Sequence, residues 1–91
     1  MLKPKTTKQF KRDFKKAKKQ NKKLENLENV MVELTNERQL SPRNKDHPLI
    51  GNFSGSRECH IEPDWLLIYR IDKNASEIIF ERIGSHSELF E

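Results

Sequence analysis

The run Trp65-Leu66-Leu67-Ile68-Tyr69 is the longest uninterrupted apolar stretch in this chain of 91 residues, and it governs most of what the chain can fold into. Five residues fall far short of the roughly 20 needed to cross a bilayer, so the run predicts a mostly buried strand over 65–71. A buried strand needs partners. Residues 57–62, Arg-Glu-Cys-His-Ile-Glu, predict one that ends at Pro63, and residues 77–83, Glu-Ile-Ile-Phe-Glu-Arg-Ile, predict another, with 72–76 as the hairpin loop between the last two. A further strand is expected around Gly51–Ser54.

Ahead of these strands the periodicity changes to that of helices. Thr6 or Thr7 can cap a helix running to about Gln20, with Phe10, Phe14 and Ala17 on one face. Leu24, Leu27, Val30, Met31 and Leu34 mark a second helix from Lys22 or Lys23 to Glu37, and Gln20-Asn21 is the turn between them. Each stripe is too narrow to stand alone, so a helical hairpin packed on a small antiparallel sheet is expected, an α+β fold with the other sheet face free for a ligand. Residues 39–56 hold two prolines and read as loop. With 33% hydrophobic and 35% charged residues the core is thin, and the length allows one domain, 1–91, not two.

Charge is segregated along the chain. Residues 1–23 carry ten Lys and one Arg against Asp13 alone, a net of +10, whereas residues 24–91 have a net of −6. Such a segment attracts polyanions through counterion release, without sequence recognition, and Lys15, Lys16, Lys18 and Lys19 are its densest cluster. The N-terminus lacks the apolar stretch of a signal peptide, and the lone Cys59 cannot form an internal disulfide, so a cytoplasmic protein without a membrane role is expected.

Candidate chemistry centres on His47, His60 and His86. If Cys59 and Ile61 face the helices, strand alternation turns Glu58, His60 and Glu62 to the open side. A metal site is not expected: Cys59 and His60, as strand neighbours, point to opposite faces, and no CxxC, HxxxH or HExxH spacing occurs. Only three glycines are present and none sets a phosphate loop; Ser85 lacks the strand-turn-helix setting of a serine nucleophile. Three histidines with Asp64 and Arg82 suit RNA cleavage, because RNA brings its own nucleophile, the 2′-OH. Such a site needs a base, an acid and a cation for the phosphate. Histidine can serve as base or acid near neutral pH, and arginine clamps phosphate oxygens.

Three segments carry a resemblance: Lys45-Asp46-His47-Pro48-Leu49 followed by Gly51; Arg57 through Tyr69; and Arg82-Ile83-Gly84-Ser85-His86-Ser87-Glu88-Leu89-Phe90. In this order and spacing the chain resembles the YafQ family of toxins within the RelE/ParE superfamily of toxin–antitoxin modules. The resemblance implies a microbial-RNase-like fold and a ribosome-dependent mRNA endoribonuclease that inhibits translation with no cofactor. It implies a catalytic group of His47, His60, Asp64, Arg82 and His86, with Trp65 and Phe90 supporting the site or contacting RNA. Within that group His86 is expected as general acid, His47 or Asp64 as base, Arg82 as phosphate stabiliser, and His60 as a positioning or base residue. The resemblance further implies a cognate antitoxin that forms a hetero-oligomer with the toxin, with the ribosome and mRNA as the other partners and a lysine codon as the preferred site. Two alternatives stand beside this reading: a non-catalytic gyrase inhibitor of ParE type, which would share the fold although such proteins lack the histidine cluster, and a nucleic-acid-binding module whose basic hairpin does all the work while the histidines are incidental.

Overall fold

Thr7 caps the first helix, α1 (Lys8–Lys19), by accepting the Phe10 N–H at 2.9 Å, and its own hydroxyl donates to the Glu81 carbonyl at 2.8 Å. These contacts appear in a computed structural model that describes residues 1–90. One small side chain thus both starts α1 and fixes it to the last strand. Asn21, at φ 58°, ends α1 with paired bonds from Lys22 N–H to Ala17 O and from Asn21 N–H to Lys18 O, the glycine-type helix stop made here by asparagine. The second helix, α2 (Leu24–Thr35), buries Leu27, Val30 and Leu34, and Glu37 at φ 60° closes it with the same pair of bonds.

The helices rest on a five-stranded sheet. Its strands are β1 (Lys3–Thr6), β2 (His47–Pro48), β3 (Arg57–Glu62), β4 (Trp65–Asp72) and β5 (Glu77–Gly84), in the order β1-β5-β4-β3-β2. The α+β architecture and strands β3 to β5 match expectation. The sheet is mixed rather than purely antiparallel, because β1 runs parallel to β5, with Lys3 opposite Glu77 and Thr6 opposite Phe80. Lys-Pro-Lys-Thr has no apolar alternation, so its strand comes from pairing with β5 and not from local pattern. The strand expected at 51–54 is instead a 3-10 turn, Gly51–Phe53, and the additional pairing falls at His47–Pro48 on the edge of β3.

Phe10 and Ala17 of α1 and Leu27, Val30 and Leu34 of α2 meet Cys59, Trp65, Leu67, Tyr69, Ile78, Phe80 and Ile83 in the main core. Ile78, Phe80 and Ile83 share that core although period two would split them. The bulge explains it: Phe80 pairs with Tyr69 and Arg82 with Ile68, which leaves Glu81 as an extra residue.

The expectation of a free second face is corrected. Leu66 and Ile68, the alternate residues of β4, are fully buried in a second small core with Leu89, against Leu49 and Phe53. A strand apolar on both faces must be covered on both. The cover comes from the 49–53 loop and a short helix, α3 (His86–Phe90). Among the described residues no helix is long and apolar enough to cross a membrane.

Candidate active site

β3 carries Glu58 and His60 two residues apart, so both project from one face, opposite Cys59 in the helix-side core. Glu58 is buried, and its Oε1 lies 3.4 Å from His60 Nε2 and 3.9 Å from His47 Nε2. His47 reaches this point from β2, where it pairs with Glu58 in register. Its Nδ1 donates to the Lys45 carbonyl at 2.7 Å, which leaves Nε2 facing the carboxylate. The segment ahead of it is pinned by Asp46, whose Oδ1 accepts from Tyr69 OH at 2.7 Å and Arg57 Nε at 3.2 Å. Burial together with the Asp46 carboxylate pushes the Tyr69 phenol above its ordinary range, so it remains a donor.

Glu62 does not join this face. A bulge at Ile61 shifts the register between His60 and Glu62, and Glu62 accepts from Asn26 of α2 at 3.3 Å. The alternation that grouped Glu58, His60 and Glu62 therefore holds only for the first two.

His86 arrives from the far end of the chain through a capping box. Ser85 Oγ accepts the Glu88 N–H at 3.2 Å, and Glu88 Oε1 accepts the Ser85 N–H at 2.8 Å, which sets His86 at the first position of α3. Gly84 permits the close turn, since a Cβ there would sit 3.1 Å from Glu88 Oε1 and 3.2 Å from Leu89 Cδ2. Lys16 of α1 forms an ion pair with Glu88, and that pair with the Ser85 N–H holds the Glu88 carboxyl down at about 2. Asp64 completes the setting: its Oδ1 accepts both the His86 backbone N–H at 3.0 Å and His86 Nδ1 at 2.7 Å. These bonds hold the Asp64 carboxyl below its usual range. The His86 ring then stands edge-on to His60, centroids 5.7 Å apart, and Phe90 lies 6.5 Å beyond it.

The structure thus brings His47, His60, Asp64, His86 and Phe90 to one end of the sheet. Arg82 is engaged elsewhere. Its Nε and Nη2 donate to the two Asp13 carboxylate oxygens at 3.0 and 3.1 Å, and the Ile83 N–H donates to the same group at 3.1 Å. Asp13, the single acid of the basic segment, therefore ties α1 to β5. Trp65 is 2% exposed within the main core. Lys15, Lys18 and Lys19 are exposed on α1, while Lys16 is partnered by Glu88. A cleft of about 720 Å³ between α2 and the loop that follows it reaches the histidines only at His60.

Sequence reasoning missed Glu58 as a site residue; the usable signal was its i, i+2 spacing from His60. It also dismissed metal ligation on cysteine and histidine spacing alone. Cys59 is indeed out of reach, its thiol pushed up to about 12 by burial. Glu58, His60 and His86, the last 26 positions away from His60, nevertheless each offer one nitrogen or oxygen atom within 4.8 Å of the others, a grouping that Cys and His spacing alone does not reveal.

Residues 2–91 match the family model described as bacterial toxin of type II toxin–antitoxin system, YafQ. The mRNA interferase toxin YafQ of Escherichia coli strain K12 is 41% identical over 83 residues, covering 90% of this chain and 88% of that protein. A crystal structure of a metal-bound toxin from Helicobacter pylori superposes with a TM-score of 0.94 at 44% identity, covering 99% of this chain and all of that one. The YafQ chain of the E. coli DinJ–YafQ complex superposes with a TM-score of 0.90 at 37% identity over the full length of both chains.

Proposed function

This chain belongs to the YafQ family of bacterial type II toxins, and on that premise we propose that it is an mRNA interferase, an endoribonuclease held in check by a cognate antitoxin. The observation that carries the chemistry is the convergence of His47 and His60 on Glu58, with His86 set beside them by Asp64.

In this reading the RNA 2′-oxygen attacks the adjacent phosphorus, the bond to the 5′-oxygen breaks, and the products are a 2′,3′-cyclic phosphate and a 5′-hydroxyl. His60 accepts the 2′-OH proton, and the Glu58 carboxylate stabilises the imidazolium that forms. His47 stands beside it, its Nε2 facing the same carboxylate at 3.9 Å. His86 donates from Nε2 to the departing 5′-oxygen, because Asp64 occupies Nδ1 and fixes the orientation of the ring. Asp64 is thereby a positioning residue for the acid and not the base. Arg82 supports the site from its Asp13 tether, and its guanidinium meets phosphate only by exchanging that carboxylate for it.

The ribosome is the proposed setting of the cut. Exposed Lys15, Lys18 and Lys19 supply a salt-sensitive hold on ribosomal RNA, and Phe90, 40% exposed, offers a face on which a base can stack. We place the protein in the cytoplasm on the same grounds, acting as one domain over residues 1–91. Incubating the purified toxin with ribosomes and mRNA, and determining the chemistry of the new fragment ends, tests the mechanism. The expected products end in 5′-hydroxyl and 2′,3′-cyclic phosphate, and 5′-phosphate ends would contradict the mechanism.

A further inference from the structure

We propose that the cleft between α2 and the loop that follows it is a nucleobase subsite, which receives the base of the nucleotide whose 2′-OH is activated at His60 and favours a base with an exocyclic amino group. The substrate follows from the nuclease reading above; the fit follows from the residues of the cleft.

His60 lines the cleft and also faces Glu58 and His86 in the histidine group, so the two spaces adjoin. Their shared wall is tied down at two successive residues. Asn44 Nδ2 donates to the His60 carbonyl at 2.7 Å, and Lys45, at φ 48°, turns the chain so that its own carbonyl accepts from His47 Nδ1. The segment that closes the cleft is thus the one that sets His47. A ribose held with its 2′-OH at His60 carries its base on the adjacent carbon, beside this space.

The lining suits a flat, neutral ring that hydrogen-bonds at its edge. Val30, Leu40 and Ile61 supply apolar surface continuous with the main core. The volume of about 720 Å³ lies within the roughly 300–1,000 Å³ usual for small-ligand sites. The bulge at Ile61 shifts the register before Glu62, whose carboxylate meets Asn26 in the cleft, Asn26 Nδ2 donating to Oε2 at 3.3 Å. That bond uses one lone-pair site of the carboxylate, and Asn26 keeps its side-chain carbonyl and a second N–H.

An exocyclic amino group donates to such a carboxylate, whereas a base carbonyl in the same place faces it lone pair to lone pair. Cytosine and uracil differ in that one group at C4 and its adjoining ring nitrogen. Exposed Arg43 and Lys45 line the cleft on its loop side and suit the phosphates that flank the base, while half-buried Glu62 disfavours an acidic occupant.

Titration of the purified toxin with cytidine 3′-monophosphate and with uridine 3′-monophosphate, followed through the side-chain amide resonances of Asn26 and Asn29, tests the subsite without cleavage. The cytidine nucleotide should shift both amides and bind about tenfold tighter than the uridine nucleotide. Glu62→Gln, which keeps one acceptor and adds a donor, should bring the two affinities within about twofold, and Asn26→Ala should weaken cytidine nucleotide binding about fivefold. Glu25→Gln, on the exposed side of α2, should change neither. Ribosome-bound mRNAs that differ only in C or U at the nucleotide 5′ to the cut should be cleaved with the same preference, again lost in Glu62→Gln. Shifts that spare both amides, or a cytidine preference unchanged in Glu62→Gln and Asn26→Ala, overturn the subsite. Variants impaired only in antitoxin binding also overturn it and assign the cleft to that partner. A toxin that cleaves no mRNA yet binds cytidine 3′-monophosphate at these amides refutes the nuclease reading and leaves the subsite standing.

Discussion

Asp64 holds His86 at two points through one oxygen, taking its backbone N–H at 3.0 Å and its ring Nδ1 at 2.7 Å. The aspartate side chain is 69% exposed, so its role in packing is slight and its removal isolates the orienting function. Asp64→Ala should lower kcat for RNA cleavage about 10- to 100-fold with KM little changed and the thermal midpoint within a few degrees of the parent. A change confined to KM would place Asp64 in RNA binding instead.

Glu58 is a buried carboxylate facing two imidazoles, 4% exposed. Glu58→Gln keeps its shape and removes the charge that stabilises an imidazolium, so cleavage should fall roughly 100-fold while urea unfolding changes by less than about 1 kcal/mol. Full activity in this variant would remove Glu58 from the mechanism.

Asp13 accepts three hydrogen bonds from β5 while its side chain is only 9% exposed. Asp13→Ala should destabilise the fold by about 1–3 kcal/mol in urea unfolding, because it strands the Ile83 N–H and a partly buried guanidinium. Asp13→Asn, which retains one acceptor oxygen, should lose less.

The Glu88 carboxyl is held at about 2 by Lys16 and the Ser85 N–H. A carboxyl whose pKa is lowered by folding contributes its full stabilisation above the unfolded value of about 4.3 and loses it as pH falls toward 2. For a side chain still 28% exposed this is about 1 kcal/mol. Acid titration followed by circular dichroism should therefore show a flatter decline between pH 4.5 and about 2 in Glu88→Gln than in the parent. Identical declines would mean that the Lys16–Glu88 pair adds nothing.

What the sequence made legible follows from the length of each signal. Phe10 and Ala17, or Leu27, Val30 and Leu34, repeat over several turns and so reveal their helices, as the 65–69 run reveals β4. β1 is four residues without apolar alternation and exists through its partner β5. α3 is five residues, too short for periodicity, and its readable trace was the Ser85–Glu88 spacing of a capping box. The bulges at Ile61 and Glu81 each shift the two-residue period by one, which moved Glu62 off the histidine face and brought Ile83 into the core. The histidines were visible as residue types; the carboxylate that joins them was not, because a glutamate in a strand ordinarily reads as solvated.

The central claim, that these histidines cut mRNA through its own 2′-OH, is tested most directly by mapping new mRNA 5′ ends after brief induction of the parent beside His86→Ala. The account predicts 5′-hydroxyl ends in register with the reading frame that disappear in the variant. Ends that persist at the parent's level in His86→Ala, or growth arrest with intact mRNA, would contradict it.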